Sequence, residues 1–116
     1  MAGVLVLRAG DGVDGADERT MAAAVAAARR HLASAAGAAV VFDFDDVPYI
    51  SEEAVAALLH LLNDTRRGAP EGAPPRLALA ALGPPVVAKL RRMQILNLFA
   101  TYLDAGTAQT AFETAG

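Results

Sequence analysis

The sequence predicts an α/β domain, a sheet at least partly parallel with helices between its strands. Three observations predict it. Short apolar, β-rich runs alternate with stretches of helical period, in the order strand then helix, from end to end. Hydrophobic residues make up 54% of the 116 residues and charged residues 20%, the balance of a globular chain. One run, Ala39 to Phe44, is apolar almost throughout, as a strand covered on both faces should be. A chain of this length is expected to hold one domain, residues 1–116, and to need no disulfide or metal to fold.

The elements follow in order. Gly3 to Arg8 reads as a strand, broken by Gly10-Asp11-Gly12 and by the turn chemistry of Asp14 to Asp17. Met21, Val25, Ala28 and Leu32 recur at helical spacing from Arg19 to about Ser34, with Asp17 and Glu18 before them and Arg29, Arg30 and His31 near the end. Gly37 is the expected stop. After the strand Ala39 to Phe44, Asp45 to Pro48 form a turn, and Ser51 is a good N-cap with Glu52 and Glu53 in the first turn. Val55, Leu58, Leu59 and Leu62 form the stripe of that helix, to about Arg67. Gly68 to Pro75 is a loop and Arg76 to Leu82 a strand. Gly83-Pro84-Pro85 opens a helix carried by Val86, Val87, Leu90 and Met93. Phe99 to Leu103 reads as a short strand, and Thr107 as the cap of a last helix through Phe112.

Composition narrows the function classes. The chain has no cysteine, so a disulfide scaffold, a thiolate zinc site and a thiol nucleophile are excluded. A net charge of −3 argues against nucleic acid as a partner. Alanine, with 28 residues, supplies much of the apolar share and favours helix. No run reaches the length of a membrane span, and the first residues lack the regions of a signal peptide, so a cytoplasmic location without direct membrane insertion is expected.

Few residues suggest chemistry. Asp43, Asp45, Asp46, Glu52 and Glu53 cluster at a strand end and the following helix start. Such a cluster suits Mg²⁺ or acid–base work, but a turn and a helix start favour carboxylates without either. His31 and His60 lack metal-ligand spacing, and Ser34 and Ser51 lack a nucleophile elbow. No phosphate-cradling loop is present. Arg66-Arg67 and Arg91-Arg92 read as solvated helix faces. The expectation is therefore no enzyme, no catalytic residue, no metal and no cofactor.

One segment carries more. Val40 to Leu58 runs Val-Val-Phe-Asp-Phe-Asp-Asp-Val-Pro-Tyr-Ile-Ser-Glu-Glu-Ala-Val-Ala-Ala-Leu. It resembles the centre of the STAS domain family, where a strand ending in Asp leads through a short turn to Asp-Ser-Ser-Gly at a helix start. Gly10 to Asp14 is similar to the family's Gly-x-Leu-Asp. Gly83 to Phe99 and Thr107 to Phe112 are similar to its later helices. The resemblance implies a STAS-like mixed sheet of about four to five strands with helices packed on it. It further implies a bacterial signalling module that regulates transcription as an anti-sigma factor antagonist.

The tetrad departs from the family. It reads Ser51-Glu52-Glu53-Ala54, and the serine that a partner kinase phosphorylates in the antagonist branch is matched by Glu53. Glutamate carries half the charge of a phosphoserine and lacks its tetrahedral oxygens. Three consequences follow: a partial mimic of the phosphorylated form, phosphorylation at Ser51 instead, or constitutive binding with no switch. The third is preferred. The expected partner-binding residues are Asp14, Tyr49, Ser51, Glu52, Glu53 and Ala54, with Ile50 placed either there or in the core. The implied partner is an anti-sigma factor with a serine-kinase-like fold. Alternatives are an ATPase subunit of an ABC-type lipid transport system, a stress-signalling scaffold, or the chain's own copies through an exposed first strand.

Overall fold

A computed structural model of the chain describes residues 3–13 and 15–115. The order of elements is β1 (Val4–Arg8), α1 (Glu18–Ser34), β2 (Ala39–Asp43), α2 (Glu52–Arg66), β3 (Leu77–Ala80), α3 (Pro84–Arg92), a single 3₁₀ turn (Leu96–Leu98), β4 (Ala100–Tyr102) and α4 (Ala105–Ala115). The strands lie side by side as β1-β2-β3-β4, and every neighbouring pair is parallel. Val6 sits beside Val41, Val41 beside Ala78, and Leu79 beside Thr101. The α/β class is thus as expected, but among the described residues the sheet is parallel throughout rather than mixed. A helix separates each strand from the next and returns the chain to the same end of the sheet.

That order fixes the layers. Right-handed crossovers taken in sequence place α1, α2 and α3 on one face. Phe42, Leu77 and Leu79 meet Met21, Val25, Leu58 and Leu90 there, in the main core. The last helix, α4, covers the opposite face, where Val41, Ala80 and Ala108 form a smaller core flanked by Tyr102 and Phe112. Successive residues of β2 alternate between the two cores, so the strand is apolar at Val40, Val41 and Phe42 alike.

Caps set most boundaries. Asp17 accepts from the Thr20 amide at 2.8 Å while the Asp17 amide donates to the Thr20 hydroxyl at 3.1 Å, a reciprocal capping box that starts α1. The far end of α1 stops at Ser34, before Gly37, and is held by Arg76. Its guanidinium donates to the carbonyls of Leu32, Ala35 and Ala38 at 2.7–2.9 Å. Prolines occupy the first two positions of α3.

Three details differ from the sequence expectations. Met93 is exposed, because α3 ends at Arg92 and the chain reverses through Gln94 at φ 62°. The Ile95 amide donates to the Leu90 carbonyl and that of Gln94 to Arg91, the two bonds of a Schellman turn. Helix α4 begins two residues before Thr107. Asp104 is its cap, its carboxylate accepting from the Thr107 amide at 2.7 Å. Leu103, expected in the last strand, lies beyond it and is 86% exposed.

Candidate docking surface at the carboxyl ends of the strands

The β1–α1 and β2–α2 loops leave the sheet at the same end and are tied together by main chain. The Ala16 amide donates to the Tyr49 carbonyl at 2.8 Å, and the Ser51 amide to the Ala16 carbonyl at 2.9 Å. These two bonds form a parallel bridge between Ala16 and Ile50. Asp11 and Gly15 exchange backbone bonds beneath it, closing a tight turn. The packing leaves no room for side chains at two glycines. A Cβ on Gly10 would come within 2.2 Å of the Gly15 carbonyl oxygen, and one on Gly15 within 2.6 Å of the Tyr49 carbonyl oxygen and ring. Gly15 also has φ +71°, which glycine adopts without strain.

The second loop is built from side-chain turns. Asp43 accepts from the Asp45 amide at 2.9 Å, and its other oxygen lies 4.0 Å from Arg8. Asp46 takes the left-handed conformation at φ 60°, which aspartate tolerates better than most residues. Val47 is buried, so Asp45, Asp46, Pro48 and Tyr49 are turned outward. Lys89, on α3, reaches across and donates through Nζ to the Ile50 carbonyl at 2.8 Å. This contact pins the start of α2 to the neighbouring helix.

At that start, Ser51 is the cap. Its hydroxyl accepts from the Ala54 amide at 3.1 Å and is half-buried. Glu52 and Glu53 fill the first helical turn, where carboxylates meet the positive helix end, and both are exposed. Neither is in an ion pair among the described residues. Tyr49 is 46% exposed beside them. Ile50 and Ala54 are fully buried, so Ile50 belongs to the core and Ala54 supports the helix start from below. The structure therefore brings Tyr49, Ser51, Glu52 and Glu53 onto one surface, and Asp14 lies outside the described residues. Lys89 and the close approach of Gly15 to Tyr49 escaped the sequence reading. Both depend on contacts between segments far apart in the chain, and only the glycine itself was a visible signal.

The groups this surface presents, the Tyr49 phenol, the half-buried Ser51 hydroxyl and the carboxylates of Glu52 and Glu53, can form hydrogen bonds and ion pairs. Among the described residues no three His, Asp or Glu side chains converge as a metal site would require. The carboxylates point outward from a turn and a helix start, so they do not gather around a point. No helix of the described residues is long and apolar enough to cross a membrane.

A parallel α/β sheet with a capped, acidic helix start exposed at the carboxyl ends of its strands defines the class. The particular family follows from a family model, the STAS domain, that matches residues 4–108. The chain belongs to the STAS domain family. STAS domains are generally non-enzymatic binding and regulatory modules, with anti-sigma factor antagonists among them. No curated protein and no solved structure matches the chain.

Proposed function

We propose that this chain is a non-enzymatic, cytoplasmic protein–protein interaction module of the anti-sigma-antagonist kind. It acts as one domain and binds its partner constitutively through Tyr49, Glu52 and Glu53. The observation that carries this reading is the start of α2. The Ser51 hydroxyl already serves as the N-cap, and the next two side chains are exposed glutamates without a hydroxyl. The surface is held in place by the Ala16–Ile50 bridge and by Lys89, so a partner meets a preformed patch and little ordering entropy opposes binding. Tyr49 supplies the aromatic contact common at binding hot spots. The partner is a protein with a serine-kinase-like ATPase fold.

The test is affinity purification from the native cytosol with mass spectrometry, using wild type, Tyr49→Ala and Glu53→Lys. Recovery of a kinase-like anti-sigma factor by wild type, lost with both variants, is the expected result. Ser51 should carry no phosphate after incubation with that partner and ATP. Phosphate on Ser51 would overturn the constitutive reading. Recovery of an ABC ATPase subunit would instead place the chain in a lipid-transport system, a second reading favoured by the same glutamates, since that role needs no phosphoserine.

A further inference from the structure

Each of the three helices on the main face carries an Arg-Arg pair toward its C-terminus: Arg29-Arg30 on α1, Arg66-Arg67 closing α2 and Arg91-Arg92 closing α3. The helices run back against the parallel strands, so all three pairs collect at the amino end of the sheet. Asp64 answers two of the six, pairing with Arg29 and Arg67. Arg30, Arg91 and Arg92 are exposed and in no ion pair among the described residues. The opposite end carries Asp45, Asp46, Glu52, Glu53 and Asp104, all exposed. Of the cations near it, Arg8 lies by Asp43 and Lys89 bonds Ile50, while Arg19, in the first turn of α1 beside Glu18, is exposed and in no ion pair among the described residues; the carboxylates at this end outnumber the three. The molecule is thus basic at one end of its sheet and acidic at the other.

Apolar groups follow the same division. At the acidic end Val13 and Leu103 are 87% and 86% exposed. At the basic end Met93 is exposed, and the exposed Leu98 lines a groove of about 500 Å³ together with Leu62, Arg66, Pro70, Leu77 and Phe99 among others. Protruding apolar side chains and a groove on opposite ends of one molecule favour a heterologous contact, in which each copy uses two different surfaces.

We propose that copies of this chain associate head to tail, the acidic end of one docking on the arginine-bearing end of the next. The complementary charges make the second copy the occupant that the arginine pairs fit. The contact is salt-sensitive, because exposed charges are screened within about 8 Å at physiological ionic strength. It leaves an unfilled end on each terminal copy, so assembly continues with concentration instead of stopping at a dimer. The inference rests on the distribution of charge and not on the partner proposed above, although the two would compete for Glu52 and Glu53.

Sedimentation velocity across a concentration series, at about 0.05 M and about 0.5 M salt, tests it. The wild type is expected to grow beyond a dimer at low salt and to return to 11.9 kDa at high salt. Two variants separate the ends: Glu52→Gln with Glu53→Gln, and Arg91→Gln with Arg92→Gln. All four positions are exposed, so the fold should persist, checked by circular dichroism. Each variant alone should associate at least tenfold more weakly. An equimolar mixture should form a dimer and stop, since only one acidic end and one basic end remain complementary. A wild type that stays monomeric at low salt, stops at a dimer, or associates independently of salt and of both variants overturns the proposal. Partner capture should survive the arginine changes, which distinguishes failure here from failure of the docking reading.

Discussion

Gln94 shows how a single backbone angle decides the end of a helix. It occupies the left-handed position of the turn after α3, where glycine is the usual residue. Gln94→Gly should stabilise the protein by about 0.5–1 kcal/mol, seen as a higher urea midpoint with an unchanged slope. The capping aspartates have a pH signature. The Thr20 amide and hydroxyl hold the Asp17 carboxyl below its ordinary value of 3.8, and the Thr107 amide does the same for Asp104. With the folded value lowered, the unfolded chain holds the proton more tightly. Both contributions are therefore present above about pH 4 and are lost as pH falls through the lowered values. Asp17→Ser keeps an N-cap but removes the titration. Its unfolding midpoint should fall less steeply than that of wild type below pH 4.

Elements in this fold are joined by a few long side chains that act on main chain. Arg76, just before β3, donates to the Leu32 carbonyl in the last turn of α1, where helix carbonyls lack intrahelical partners, and to the Ala35 and Ala38 carbonyls of the turn that follows. Arg76→Ala should cost about 2 kcal/mol in a urea titration, and Arg76→Lys should recover less than half, because lysine lacks the planar fork. Lys89 does similar work between α3 and the start of α2. Lys89→Met should leave the fold intact but speed amide exchange at Ile50 and Ser51, since the contact restrains the loop that presents Tyr49.

The whole molecule depends on its central strands. Phe42 is fully buried against the three-helix layer, so Phe42→Ala should cost about 3–5 kcal/mol, a large part of the stability of a domain this size. Thermal unfolding with a two-state fit measures it. The two ends of the sheet differ in kind. The acidic end combines a pinned, exposed helix start with carboxylates, and the basic end combines three arginine pairs with a groove.

The sequence by itself determined the element order, the α/β class, the family resemblance and the start of α2 at Ser51, because period, caps and prolines act over a few residues. The start of α2 was legible because cap and acidic turn agreed at Ser51, whereas α1, expected from Arg19, begins one residue earlier at Glu18 because Asp17 is its cap. The start of α4 was misplaced because Thr107 and Asp104 are both good caps, and only the path of the chain after β4 selects Asp104. Tertiary structure alone decided that the sheet is parallel throughout, that Ile50 and Ala54 are core while Tyr49 is exposed, and that Lys89 and Gly15 shape the surface. It also gathered the arginine pairs at one end of the sheet. Each of these depends on segments tens of residues apart meeting, and a local pattern carries no record of which segment lies across from it.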